Sequence, residues 1–251
     1  MILTIDIGNS NTVLVGYTKN KEIIFEHRVL TFKNNTTELF SELLKSLKLE
    51  VEDIIVSCVV PNIQKEIENV LYEYFGKKAL IVNGDSIRKL KINIDTPSSL
   101  GADLICTSVG ACLKYDTPVI VADIGSASKV TLTNTGAVYE GGIIWPGLGS
   151  SLKSMVDMIP HLPKVDLVLP KSVIGKNTIH AIQSGMLYGV AAQVEGLAQM
   201  IEKEIGVPCE RVLTGGYSVL FKQHLPNFKY EEYLVSDGLI EIYLKDMIQK
   251  D

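Results

Sequence analysis

The sequence predicts an α/β protein of two domains that arose by internal duplication, and three observations predict it. The chain opens with "ILTIDIGNSNTVLVGY", an apolar run that ends in Asp6 and turns at Gly8 into a second apolar run. Almost half a chain later "PVIVADIGSASKVTLTN" repeats that plan, with Asp123 in the place of Asp6 and Gly125 in the place of Gly8. The first copy is then followed by alternating helical and extended patterns, an order that implies parallel pairing with right-handed crossovers. The expected domains are 1–115 and 116–251.

Taken in order, residues 2–7, 12–18 and 22–30 read as three strands, with "TKNK" as the turn between the last two. "TTELFSELLKSLKLE" reads as a helix capped by Thr36 or Thr37, since Leu39, Phe40, Leu43, Leu44 and Leu47 share one face. "DIIVSCVV" is a buried strand, Pro61 opens a second amphipathic helix at the position where proline is tolerated, and "KALIVNG" is a further strand. Residues 84–100 form a linker with one short extended piece before Pro97. "GADLICTSVGACLKY" then starts a helix whose first turn carries Asp103, a place that the helix dipole alone favours for an acid.

In the second half a turn at "NTG" leads from the repeated hairpin to a third strand, and "GGIIWPGLGSSLKSMVDMI" joins that strand to a helix that Ser150 or Ser151 suits as a cap. "HLPKVDLVLPKSVIGKNT" has two prolines, Pro163 and Pro170, and no helical period, so it is loop and extended chain. The segment from Thr178 to Gly206 is the clearest helix. Gly185, Gly189, Ala192 and Gly196 form a small-residue stripe along it, which lets another backbone come close: the other domain, a second subunit or the core, with core packing the default. "RVLTGGYSVLF" is strand, double glycine and helix, and "SDGLIEIYLKDMIQK" is a final amphipathic helix.

Composition excludes several classes. With 46% hydrophobic and 21% charged residues the chain buries a substantial core. A net charge of −5 without a run of Lys and Arg leaves no nucleic-acid footprint. Cys58, Cys106, Cys112 and Cys209 are scattered, with neither a C-x-x-C pair nor a histidine cluster beside them, so no zinc site is expected and the thiols read as reduced. No signal-like opening and no membrane-length apolar run is present, which places the protein in the cytoplasm and off the membrane.

The two Asp-Ile-Gly turns carry the chemistry. Each gathers backbone N–H groups, hydroxyls and one carboxylate at a point, as a phosphate tail with its metal ion requires. One copy alone is equally an ordinary hairpin with a solvated acid. Two copies suggest opposed turns across a nucleotide cleft, which resembles the actin-like ATPase superfamily of sugar kinases, actin and heat-shock chaperones.

The resemblance narrows with "DIGNSNT" at 6–12, "PSSLGAD" at 97–103, "DIGSAS" at 123–128, "GGIIWPG" at 141–147, "GKNT" at 175–178, "LTGG" at 213–216 and "SDGL" at 236–239. In this order and spacing they make the chain similar, nearly end to end, to the type III pantothenate kinases. That resemblance implies two actin-like (ribonuclease H-like) domains with an ATP cleft between them, and ATP-dependent phosphorylation of pantothenate to 4'-phosphopantothenate, the first step of coenzyme A biosynthesis. It implies ATP binding by Asp6, Ile7, Gly8, Asn9, Ser10, Asn11, Thr12, Val13 and Ser126, with Gly215 and Gly216 against the adenosine. Asp103 becomes the general base, and Gly101, Ala102, Asp103, Leu104 and Thr178 line the pantothenate. The same resemblance implies that Asp123 holds a monovalent cation, K+ or NH4+, that Asp6 holds Mg2+ through water, and that the protein is a homodimer.

Three positions depart from the family pattern. Leu104 stands where an arginine normally grips the substrate carboxylate, Ile94 where a tyrosine contacts pantothenate, and Lys129 where a threonine is usual. Arg88, Lys89 and Lys91 are nearby cations that would compensate for the lost arginine. These departures give a second reading, a diverged member with another acid substrate or a non-catalytic nucleotide-binding regulator. A purely structural interaction protein is a third, against which Asp6, Asp103 and Asp123 stand together.

Overall fold

A computed structural model describes residues 1–84, 87–88, 90–159 and 161–247, with 246 and 247 as backbone alone. Lys89 and the end of the last expected helix, 248–250, lie outside the described residues. The chain divides into two compact units. The first joins Met1–Lys114 to the C-terminal stretch from Tyr233, and the second is Tyr115–Glu232.

The first unit runs β1 (Ile2–Ile7), β2 (Asn11–Tyr17), β3 (Ile23–Leu30), α1 (Thr36–Leu47), β4 (Asp53–Cys58), α2 (Pro61–Phe75), β5 (Leu80–Ile81), β6 (Lys91–Ile92) and α3 (Ala102–Lys114). Its sheet has the order β3-β2-β1-β4-β5. The β1–β2 and β2–β3 pairs are antiparallel, and β1–β4 and β4–β5 are parallel. Leu3, Ile5 and Ile7 of β1 pack with Phe40 and Leu44 of α1 and with Ile63, Ile67 and Leu71 of α2, so the expected apolar helix faces close on the sheet. The cap of α1 is Asn35 in a left-handed conformation, φ 51°, and not a threonine. Thr36 Oγ1 donates instead to the Phe32 carbonyl at 2.8 Å, and asparagine is among the few residues that tolerate that backbone.

The second unit runs β7 (Val119–Ile124), β8 (Ala127–Asn134), β9 (Val138–Pro146), α4 (Leu148–Met158), α5 (Thr178–Ile205), β10 (Glu210–Thr214) and β11 (Lys229–Tyr230). Within it the strands follow the order β9-β8-β7-β10-β11. The β7–β8 and β8–β9 pairs are antiparallel, and β7–β10 and β10–β11 are parallel, the same senses in the same places as in the first unit. Burial agrees as well: β1 and β7 share one pattern, in which only the aspartate is not fully buried. The duplication seen in the sequence is thus a duplication of topology. Ile120, Ala122, Val130, Leu187, Val194 and Phe221 form the second core, under α5.

Three elements differ from expectation. The strand read at "KALIVNG" pairs only over Leu80–Ile81, and the helix read after the double glycine is a single 3-10 turn, Ser218–Phe221. The stripe on α5 is not core: Gly185, Gly189 and Ala192 are exposed, and a Cβ at Gly185, Gly189 or Gly196 would meet no described atom within 4 Å.

The C-terminal helix α6 (Leu234–Ile242) packs in the first unit, against α3. Glycines make this possible on both sides. A Cβ at Gly110 would lie 2.4 Å from the Leu234 carbonyl oxygen. Asp237 then accepts from Tyr17 Oη at 2.8 Å and pairs with Lys114 at 2.6 Å. Burial, and next the charge of Asp237, push the Tyr17 phenol well above its ordinary range, so it stays a donor.

Candidate functional site

Asp6 is the penultimate residue of β1, so the strand delivers its side chain to the sheet's edge, half-buried, while Ile7 behind it is in the core. The turn that follows is closed by Gly8 N–H donating to the Asn11 carbonyl at 3.0 Å. Its tip, Asn9 and Ser10, is exposed. Thr31 locks it from outside, donating through Oγ1 to the Gly8 carbonyl at 2.7 Å and through N–H to the Ser10 carbonyl at 3.0 Å. Thr12 is 3% exposed and its hydroxyl is shared with Thr31 Oγ1 at 3.1 Å, so Thr12 holds the turn's shape from within. Asn11 and Val13 are half-buried at the start of β2.

Asp103 stands in the first turn of α3 as expected, with Oδ1 accepting from the Leu104 N–H at 2.8 Å. A Cβ at Gly101 would lie 2.8 Å from that oxygen, which explains a glycine two residues before the acid. Ala102 is buried and Leu104 is half-buried. Burial pushes the Cys106 thiol well above its ordinary value, and the negative charges of Asp6 and Asp103 push it further, so both carboxylates act on one neighbourhood of the first unit. Cys106 is thereby an inert thiol and not a nucleophile.

Asp123 repeats Asp6 on β7 but in a different electrostatic setting. Lys129, paired with it across the β7–β8 register, places Nζ 2.9 Å from Asp123 Oδ2, with the side chains only 12% and 16% exposed. The other oxygen lies against Gly215, whose φ is 100° and whose Cβ would stand 2.3 Å from Asp123 Oδ1. Only glycine serves there, for both reasons. Gly216 and Ser126 are exposed, Ser126 at the tip of the second turn. Gly147 lies beneath that tip: a Cβ there would fall 2.2 Å from the Gly125 carbonyl oxygen, and its N–H donates to the Ser126 carbonyl at 3.3 Å. The glycine of "WPG" is therefore a close-approach residue, and it caps α4 without a serine side chain.

Thr178 is the exposed first residue of α5, whose cap Asn177 accepts from the His180 N–H at 2.9 Å. A Cβ at Gly175 would lie 2.3 Å from the Ala181 nitrogen, so "GKNT" is a compact turn that sets this helix start in place. Sequence reasoning missed Thr31, whose register on the loop after β3 carries no local mark, and Ser57. In the β1–β4 register Ser57 stands beside Asp6, as Thr214 stands beside Asp123 in β7–β10. A hydroxyl inside the apolar run "DIIVSCVV" was the available signal.

Two duplicated β-sheet units, each with an aspartate as the penultimate residue of its central strand before a tight turn, define the class: an actin-like ATPase or sugar-kinase fold. Solved structures agree. Component A of the (R)-2-hydroxyglutaryl-CoA dehydratase of Acidaminococcus fermentans aligns with a TM-score of 0.55 at 17% identity, over 97% of this chain and 96% of that one. The activator of the 2-hydroxyisocaproyl-CoA dehydratase of Clostridium difficile, solved with ADPNP bound, aligns with a TM-score of 0.51 at 12% identity, over 98% and 93%.

Within that class the chain belongs to the type III pantothenate kinase family, whose model matches residues 2–200. Type III pantothenate kinases of Exiguobacterium sibiricum and of Roseiflexus sp. strain RS-1 are 35% and 37% identical to it, each over 97% of this chain and 98% of the relative. Matches of that length to named kinases do not favour the reading as a diverged regulator.

The first unit fits Mg2+ held through water. Ser57 Oγ is buried beside Asp6 without a hydrogen-bond partner among the described residues, the kind of group a bound water satisfies, and Mg2+ takes one or two carboxylates and keeps several waters. At Asp123 the Lys129 ammonium already neutralises the carboxylate, so an added metal cation gains little net attraction there. A second positive charge about 4 Å from the Lys129 ammonium would be repelled by about 4 kcal/mol at an effective dielectric of about 20.

Proposed function

We propose that this protein transfers the γ-phosphoryl group of ATP to the primary alcohol of pantothenate, giving 4'-phosphopantothenate and ADP. The near end-to-end similarity to curated type III pantothenate kinases carries the reading. Phosphoryl transfer passes through a loose, charge-spread transition state, so positioning and electrostatics do most of the work. Asp103 accepts the alcohol proton as the alcohol oxygen bonds to the γ-phosphorus and the bond to the β-phosphate oxygen breaks. Residues Asp6 to Val13 and Ser126 meet the phosphates, and Gly215 and Gly216 the adenosine. Mg2+, when bound through water at Asp6, neutralises charge on the phosphates. Gly101, Ala102, Leu104 and Thr178 contact pantothenate.

The cytoplasm is the compartment this reading requires, and among the described residues no helix is long and apolar enough to cross a membrane. We assign the exposed stripe Gly185, Gly189 and Ala192 on α5 to a homodimer contact, since small residues let two helices approach closely.

The test is ADP release from ATP and Mg2+ with and without pantothenate, with the product identified by mass. Pantothenate-dependent ADP and a product heavier by one phosphoryl group are expected. ATP binding without any pantothenate-dependent turnover would remove the assignment.

A further inference from the structure

We infer that the Lys129 ammonium is the monovalent cation of this protein: it occupies the Asp123 carboxylate from within the chain and makes function independent of dissolved K+ or NH4+. Four observations on the second unit carry this. The Nζ–Oδ2 separation is 2.9 Å, a hydrogen-bonded ion pair and not a loose surface contact. Both side chains are nearly buried, so solvent ions compete poorly with the lysine. Lys129 faces Asp123 directly across an antiparallel register that five flanking pairs of β7 and β8 fix, so the contact is built into the sheet. Gly215 closes on the remaining oxygen, which leaves the carboxylate enclosed on both sides.

An alkylammonium is chemically a substituted NH4+: one positive charge and three N–H donors in the place of four. Tethering it to β8 gives it an effective concentration that a free cation in a cell does not reach. Its positive charge repels any second cation from the same carboxylate. The charge beside the second turn is therefore permanent, and the nucleotide region of this unit is set without an ion.

The turnover arm of the test rests on the kinase reading above, whereas the stability arm does not. Wild type and Lys129→Thr are compared in the chlorides of tetramethylammonium, Na+, K+ and NH4+ at one ionic strength. Threonine is chosen because it suits a strand and removes the charge. Turnover and Tm are read in each salt. For the wild type both are expected to be indifferent to the cation. For Lys129→Thr we expect turnover lower by about 100-fold in tetramethylammonium, the scale of one lost electrostatic stabiliser, and restored by K+ or NH4+. Its Tm should rise with K+ or NH4+ over Na+, as binding linkage demands.

A wild type activated several-fold, or stabilised, specifically by K+ or NH4+ would overturn the inference. So would a folded Lys129→Thr as indifferent as its parent. If the variant does not fold, the wild-type comparison decides alone, indifference supporting and response refuting. If the wild type turns over in no salt, the kinase reading fails, and the salt dependence of Tm still decides the role of Lys129.

Discussion

A Cβ built on Gly238 would stand 1.9 Å from the carbonyl oxygen of Cys106, so α6 and α3 touch backbone to backbone. Gly238→Ala forces these helices apart at a point where neither neighbour is a flexible side chain. Overpacking of this kind costs about 1 to 3 kcal/mol, a fall in Tm of roughly 3 to 10 °C for a chain of this size. Thermal denaturation measures it. A variant melting with its parent would show that the helices slide apart freely.

Turnover should depend on Asp103 as a base. Asp103→Asn keeps an oxygen that can accept from the Leu104 N–H, so the first turn of α3 is preserved while the proton acceptor is lost. General acid–base catalysis is worth about 100-fold to 10,000-fold, and kcat should fall by that order with ATP affinity unchanged. Titration with ATP checks the fold of the site. Undiminished kcat would assign the proton to another acceptor.

Stability toward acid should depend on Glu202. Arg211 on β10 donates to Glu202 Oε1 at 3.0 Å and to Oε2 at 2.6 Å, and to Glu195 at 2.8 Å, pinning α5 to the sheet. These hydrogen bonds hold the Glu202 carboxyl below its ordinary 4.5. A lowered folded value means that the folded state binds fewer protons than the unfolded. The contribution is therefore complete above about pH 4.5 and is lost as pH falls through the folded value. In Glu202→Gln, urea unfolding at pH 7 should show a loss of about 1 kcal/mol, the upper figure for surface ion pairs. Its stability should also fall less steeply than that of the parent below pH 4.5. Parallel pH profiles would dismiss the pair.

The sequence showed the sheets better than it showed their partners. β1 and β7 were legible because an apolar run ends in Asp-Ile-Gly in both, and Asp103 because its motif sits at a helix start. The home of α6 was not legible. Its contact with α3 joins positions about half the chain apart and depends on Gly110 and Gly238, and a glycine needed for close approach looks in sequence like any other. Thr31 and Ser57 were hidden for a related reason: their roles come from strand register, which a single sequence does not print. Lys129 was visible as a departure from the family pattern, but its meaning needed the pairing with Asp123.

Leu104 is the departure that bears on the acid substrate. It follows Asp103, is half-buried, and its carbonyl accepts from Ser108 Oγ at 2.8 Å and from Thr107 Oγ1 at 3.1 Å, so its backbone is tied down whatever the side chain. An aliphatic side chain offers a carboxylate nothing, whereas a guanidinium offers two parallel charge-assisted hydrogen bonds. A hydrogen bond to a charged group is worth about 1.5 to 3 kcal/mol, roughly tenfold to 150-fold in affinity. Leu104→Arg should therefore lower the KM for pantothenate by about tenfold or more and leave the KM for ATP nearly unchanged. Partial exposure lets the longer side chain reach out without entering the core. Steady-state kinetics over a wide pantothenate range checks it. A wild type that already binds pantothenate tightly, with the arginine variant no better, would mean that another cation holds the carboxylate. Substituting Arg88 and Lys91 in turn would then find it.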